Sequence, residues 1–250
     1  MKKLIKRHMP FAVWEALRRT YSRARRLVLD VRNTASPAHP LEWFRTFRLV
    51  RVIYPRYSMV PATRMRLLHD LSRAIVREQV AGAIVECGVY NGGSAAMMVA
   101  AQPDERDVWL FDSFEGLPPP TENDGMYERN HYYPGWCGGT VEMVQEIFRT
   151  LRLPSGKQHV ERGWFQETFP RVAPQVGPIA LLHIDADWYD SVKICLDTFY
   201  PKVASGGYIV FDDYGTFSGC RKAVNEYFEK HKMTVTLETR DGVGRYFKKP

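Results

Sequence analysis

The chain contains no run of 18 apolar residues, so no membrane-spanning helix is expected from it. Cysteine is scarce. Cys87, Cys137, Cys195 and Cys220 are widely scattered, match no structural zinc spacing and read as reduced thiols of a cytosolic protein. There is no internal repeat and no low-complexity tract beyond a basic start. A signal-peptide core is not expected either, because Arg18 and Arg19 interrupt the first apolar stretch. Excess positive charge is missing from most of the chain. The formal net charge is +7, but residues 1–32 hold ten Lys or Arg against Glu15 and Asp30, a net of +8, so the rest sums to −1. A nucleic-acid enzyme spreads basic charge along its binding face, and no nucleic-acid partner is expected here.

What is present fits one large α/β domain with an extension: 250 residues, 45% hydrophobic and 25% charged. Two apolar runs end abruptly in acid. Ile179 to Ile184 runs into Asp185 and Asp187, and Tyr208 to Phe211 runs into Asp212 and Asp213. Runs of this length, rich in Ile and Val, suit strands buried on both faces of a parallel sheet. Such sheets bind ligands beyond the carboxyl ends of their strands. Four carboxylates gathered there repel one another and are costly to desolvate unless a cation or a proton stands between them.

Residues 1–32 read as a basic amphipathic helical segment, able to lie on anionic lipid or to pack on a partner subunit. Residues 33–40 read as a linker. Helices are predicted over 41–53 and 63–80, the first packing Trp43, Phe44, Phe47, Leu49 and Val50, the second with Met65, Leu67, Leu68, Leu71, Ile75 and Val76 at helical spacing. Ala83 to Cys87 is the first strand, followed by the turn Gly88-Val89-Tyr90-Asn91-Gly92-Gly93-Ser94 and a helix of small residues. That turn lacks the full dinucleotide fingerprint and the phosphate-binding lysine loop. Its glycines permit close approach of a ligand, and the helix start offers free amide donors. Asp112, 20 residues beyond Gly92 at the end of the next strand, is placed to accept from a ribose diol, or to cap the turn that follows it.

Residues 113–139 carry a Pro-rich stretch and then Tyr127, Tyr132, Tyr133 and Trp136, and read as a lid or substrate wall. Further strands are predicted at 157–161, 179–184, 208–211, 233–238 and 243–247, the last two joined by a hairpin at Asp241-Gly242. Asp185, Asp212 and Asp213 can supply hard oxygen ligands to Mg²⁺. Asp187 and Asp190 are read as caps of the following helix, and His183 as a packed histidine rather than a base.

Taken together, Glu86 to Ser94, Phe111 to Pro118, Gly163 to Phe169, His183 to Ser191 and Phe211 to Tyr214 resemble the macrocin O-methyltransferase family, over roughly residues 57–248. The family comprises S-adenosylmethionine- and Mg²⁺-dependent sugar O-methyltransferases of antibiotic biosynthesis. The resemblance implies a class I methyltransferase fold, an α/β Rossmann-like seven-stranded sheet ending in an antiparallel hairpin, with residues 1–56 as helical extension and 57–250 as the methyltransferase domain. It implies metal ligands at Asp185, Asp212 and Asp213, with Asp185 also the general base. Cofactor contacts fall on Glu86, Gly88, Tyr90, Ser94, Asp112, Ser113, Trp164 and Phe165. The implied acceptor is a sugar or glycosylated metabolite in the cytoplasm, and the implied assembly a homo-oligomer.

The basic segment departs from this pattern and raises a contact with the inner face of the membrane and a lipid-linked or polysaccharide acceptor. A catechol-like acceptor would use the same aspartates. A nicotinamide-dependent oxidoreductase would leave the acid cluster without a reason, and a non-catalytic binding protein would have no need to keep it.

Overall fold

The computed structural model describes residues 40–102, 106–154 and 156–250, with side chains from residue 44 onward. The basic segment 1–32, the linker before residue 40 and the Trp43 side chain lie outside the described residues. Helices α1 (Pro40–Ile53) and α2 (Ala62–Arg77) precede strand β1 (Ala83–Cys87) and helix α3 (Gly93–Val99). Strand β2 (Val108–Asp112) leads through the lid segment, which contains the short α4 (Met126–His131), to α5 (Val141–Thr150). Then follow β3 (Gln158–Arg162), α6 (Phe165–Val172), β4 (Ile179–Ile184), α7 (Tyr189–Phe199), β5 (Val203–Phe211), α8 (Ser218–Lys230) and β6 (Arg245–Lys248).

The strands form one sheet in the order β3-β2-β1-β4-β5-β6, parallel except for the antiparallel β5–β6 pair. Both faces are covered, which is why β1, β2 and β4 read as continuous apolar runs. Alternate residues serve opposite cores. Ile84, Leu110, Leu181 and Val210 join Leu67, Leu68 and Ile75 of α2, Met97 of α3 and Ile147 of α5. Val85, Phe111, Leu182 and Phe211 join Phe169 of α6, Phe199 of α7 and Val224 of α8. Phe111 meets Phe169 edge-on at 5.2 Å and Phe199 at 5.2 Å, an aromatic cluster that fixes the second core.

Three expectations are corrected. Residues 233–238 do not form a strand. Met233, Val235 and Leu237 are half-buried and alternate with exposed neighbours, but pairing is limited to the single bridge Glu238–Tyr246, so six strands form among the described residues. The fifth strand, expected over 208–211, begins at Val203 and runs through Gly206 and Gly207. Gly206 has φ +79°, and the pairing with β4 shifts register between Ile179 and Leu181, the irregularity that glycine in a strand permits. Phe44 is 56% exposed, whereas Val50 and Ile53 of the same helix are buried with α2 in the first core. Among the described residues no helix is long and apolar enough to cross a membrane.

Candidate active site

The strand order reverses between β1 and β4, the position where sheets of this kind open a crevice. Register lines up what lies there. Cys87 pairs with both Phe111 and Ile184, and Ile184 pairs with Phe211. The next residue on each strand is Asp112 on β2, Gly88 on β1, Asp185 on β4 and Asp212 on β5, so all four fall in one row at the carboxyl edge. Gly88 makes the row possible. It has φ +87°, and a Cβ there would lie 1.8 Å from the Asp185 carbonyl oxygen.

Above the row is a cavity of about 410 Å³. Gly88, Tyr90, Ser94, Asp112, Ser113, Trp164 and Phe165, all expected to bind cofactor, line it, as do Asp185, Asp212 and Asp213. Glu86 does not. It is fully buried behind the lining, its Oε1 2.8 Å from His183 Nδ1 and its Oε2 without a partner. Asp112 organises the glycine turn: Oδ2 accepts from the amides of Val89 at 2.7 Å and Tyr90 at 2.8 Å, and Oδ1 from Phe114 at 2.7 Å. Burial pushes its carboxyl up and these amides pull it back only in part.

Five aspartates, including Asp187, line the cavity against one guanidinium, that of Arg64. Burial first, and then mutual repulsion, raise Asp185 and Asp187 well above the ordinary carboxylate range. Asp213 is raised to about 7 by burial and by Asp212, against the pull of Arg64. His183 lies between Glu86 and Asp212, with Nε2 3.4 Å from Asp212 Oδ1. Burial lowers its pKa, but those two carboxylates outweigh it and raise it to about 9. It is fully buried and does not line the cavity, as expected of a packed histidine.

Two clusters each bring three ligand atoms within 4.8 Å of one another, His183, Asp185 and Asp212 in one and Asp185, Asp187 and Asp213 in the other, so that the expected ligands Asp212 and Asp213 meet Asp185 in different clusters. Asp185 belongs to both. Asp213 Oδ2 is buried and unpartnered. A hard divalent cation fits this donor set, since it would supply the charge that the chain itself does not. Asp187, read as a helix cap, sits at φ +54° among the acids instead. The first amide of α7, Tyr189 N, donates to Asp124 Oδ1 at 2.8 Å.

Two features escaped sequence reasoning. Arg64 shares the stripe of Leu67, Leu68, Leu71 and Ile75, and a charged residue on an apolar face was the available signal. Asp124 and Glu128 of the lid are buried and cap α7 and α8. Glu128 Oε1 accepts from Ser218 N at 3.0 Å and from its hydroxyl at 3.3 Å. No local pattern announces such distant caps. The lid is further closed by Trp188 Nε1 donating to the Pro118 carbonyl at 2.8 Å, and by Trp136 edge-on to Trp188 at 5.8 Å.

With this geometry in hand, comparison decides the class. The Macrocin-O-methyltransferase (TylF) family matches residues 4–249. The chain belongs to the macrocin O-methyltransferase family. The match begins near the N-terminus, so the basic segment lies within the family's span rather than outside it, and the resemblance extends well beyond residues 57–248. Demethyldecarbamoylnovobiocin O-methyltransferase of Streptomyces niveus is 32% identical over 200 residues, 77% of this chain and 76% of the relative. Mycinamicin III 3''-O-methyltransferase of Micromonospora griseorubida is 29% identical over 202 residues, 77% of this chain and 78% of the relative. The solved structure of the O-methyltransferase NovP has a TM-score of 0.70 at 30% identity, covering 77% of this chain and 82% of its own. The calicheamicin methyltransferase CalS11 has a TM-score of 0.61 at 21% identity over 91% of each chain, a likeness of fold. The macrocin-family chain is an S-adenosylmethionine-dependent O-methyltransferase with the class I methyltransferase fold.

Proposed function

We propose that this enzyme methylates a hydroxyl of a sugar or glycosylated small molecule, assisted by a divalent cation at Asp185, Asp212 and Asp213. The observation that carries the reading is the set of five aspartates that line one cavity with a single guanidinium, Asp213 Oδ2 among them buried and unpartnered. One relative, from Streptomyces olivaceus, is named as an 8-demethyl-8-(2,3-dimethoxy-alpha-L-rhamnosyl)-tetracenomycin-C 4'-O-methyltransferase, and that rhamnosyl-bearing acceptor supports the acceptor class.

Gly88, Tyr90, Ser94, Asp112, Ser113, Trp164 and Phe165 would hold S-adenosylmethionine, with Asp112 keeping the turn in shape. Glu86 supports from behind, through His183. The cofactor supplies an electrophilic methyl group, and Mg²⁺ supplies a Lewis acid that lowers the pKa of a coordinated hydroxyl. The chain's own part is orientation and proton handling. Asp185 is the residue common to both acid groups and is the base proposed to take the acceptor proton. Trp136 and Phe217, braced from behind by the buried Trp188, give the cavity an apolar wall suited to a sugar ring face.

The test is incubation with S-adenosylmethionine, Mg²⁺ and a panel of glycosylated acceptors, read by mass spectrometry for one added methyl on the sugar. Chelation should stop transfer. Asp212→Asn should abolish turnover while calorimetry still detects S-adenosylhomocysteine binding. Transfer that persists undiminished in excess chelator refutes the cation's role.

The charge split supports a location at the inner face of the membrane, with residues 1–32 on an anionic surface, and subunit packing is its rival. Vesicle cosedimentation and sedimentation velocity of the chain with and without that segment separate the two.

A further inference from the structure

We propose that Arg64 is a positioning residue, whose guanidinium holds the Asp212 carboxylate in its place in the acid cluster. The inference rests on the cation-assisted reading above and deepens it. Arg64 stands on α2, only 5% exposed, in a stripe otherwise given to the core. A buried guanidinium is costly unless its partners are close and well aimed. Here they are. Nη1 donates both to the Asp212 carbonyl oxygen at 2.5 Å and to Asp212 Oδ2. One nitrogen bridging the main chain and side chain of the same residue restricts rotation of that carboxylate. Asp212 Oδ1 is then left toward His183 Nε2, in the group that contains Asp185.

The guanidinium is itself held. Nε donates to Asp241 Oδ2 at 2.9 Å, and Asp241 Oδ1 accepts from the amides of Val243 and Gly244 at 3.0 Å each. A Cβ on Gly244 would stand 2.8 Å from Arg64 Cδ, so the turn closes directly over the side chain. Of the five aspartates that line the cavity, Asp212 alone forms an ion pair with a guanidinium among the described residues. Side-chain contacts thus link Glu86, His183, Asp212, Arg64 and Asp241 in sequence from β1 to the C-terminal turn. Partners behind a metal-binding carboxylate orient it, and their removal costs about 10–100-fold in metal affinity or activity.

The experiment uses the full chain loaded with S-adenosylhomocysteine and titrated with Mn²⁺ as the probe ion, followed by electron paramagnetic resonance. S-adenosylhomocysteine affinity and melting temperature are measured in parallel. Arg64→Met should weaken Mn²⁺ binding by about 10–100-fold with cofactor-product affinity little changed. Arg64→Lys should recover part of the loss, and Asp241→Asn should shift Mn²⁺ in the same direction by less. Wild-type Mn²⁺ affinity in folded variants with lower melting temperatures makes Arg64 a structural ion pair and overturns the proposal. Tighter Mn²⁺ binding on loss of the guanidinium overturns it too, since Arg64 would then act only as a competing charge. Where Arg64→Met does not fold, Arg64→Lys and Asp241→Asn decide on the same criteria. A wild-type chain that binds S-adenosylhomocysteine but no Mn²⁺ removes the cation reading itself, and this inference with it.

Discussion

Gly88 and Gly135 both have positive φ, +87° and +80°, yet they differ in what surrounds them. At Gly88 a methyl group meets the Asp185 carbonyl at 1.8 Å, whereas at Gly135 nothing lies within 4 Å. Gly88→Ala must move β1 away from β4 at the switch point. It should destabilise by more than about 3 kcal/mol and abolish S-adenosylhomocysteine binding. Gly135→Ala carries only the left-handed backbone strain, about 1–2 kcal/mol. Urea unfolding and calorimetry of the two variants check the contrast, and equal losses would mean that backbone strain alone governs both sites. Asp241 offers a pH test at the same scale. Burial works to raise its carboxyl, but the Arg64 charge and the Val243 and Gly244 amides outweigh that and hold it below its ordinary 3.8. A depressed carboxylate contributes stability that is fully present above the unfolded value and is lost as pH falls through the folded one. Asp241→Asn should therefore cost about 1–2 kcal/mol at pH 7. The gap between wild type and variant should be the same at pH 5 and close only below about 3.8. A gap already closing at pH 5 contradicts this account.

At the scale of elements, the lid is tied to the helices that follow the acid-bearing strands. Asp124 accepts from the first amide of α7 and Glu128 from the first residue of α8. Each thereby satisfies a helix donor that otherwise has no partner and places a negative charge at the positive end of the helix. Asp124→Ala and Glu128→Ala should each cost about 1–2 kcal/mol and make residues 113–139 easier to cleave by protease, with the sheet intact by circular dichroism. Unchanged proteolysis would assign closure to the aromatic contacts of Trp136 and Trp188 instead. These ties also mark where sequence reading stops. The exposed Tyr127 and Tyr133 of segment 113–139, and the helix with Leu67, Leu68, Leu71 and Ile75 buried, were legible because composition and spacing are local. The caps join residues 65 and 90 positions apart, beyond any local pattern. Period-two alternation at 233–238 was read as a strand and proves to report only which side chains face the core. Hydrogen-bond pairing is a separate fact, and there it amounts to one bridge.

Over the whole molecule, the acids at the ends of β4 and β5 were legible because a buried strand ends where apolar residues give way to charge. Their assembly into one row was not. It depends on β1 lying between β2 and β4, and on registers that place Gly88, Asp112, Asp185 and Asp212 side by side. Arg64 was hidden for the same reason, since its partner Asp212 lies 148 residues away. This dependence on tertiary assembly makes ligand binding a test of the whole fold. The row, the glycine turn and the lid converge on the cavity only in the folded chain, so a ligand held there binds the native state and not the unfolded one. At 100 times its dissociation constant such a ligand stabilises by about 2.7 kcal/mol. For a chain of this size each kcal/mol is worth roughly 2–4 °C in melting temperature. S-adenosylhomocysteine at that concentration should therefore raise the midpoint by roughly 5–10 °C. Mg²⁺ should add a further rise in wild type that Asp213→Asn reduces, because the buried Asp213 Oδ2 is then no longer a charged oxygen awaiting a partner. Differential scanning calorimetry at fixed pH and ionic strength measures both increments. An S-adenosylhomocysteine rise without any Mg²⁺ increment would retain the cofactor site and exclude a cation bound among the aspartates.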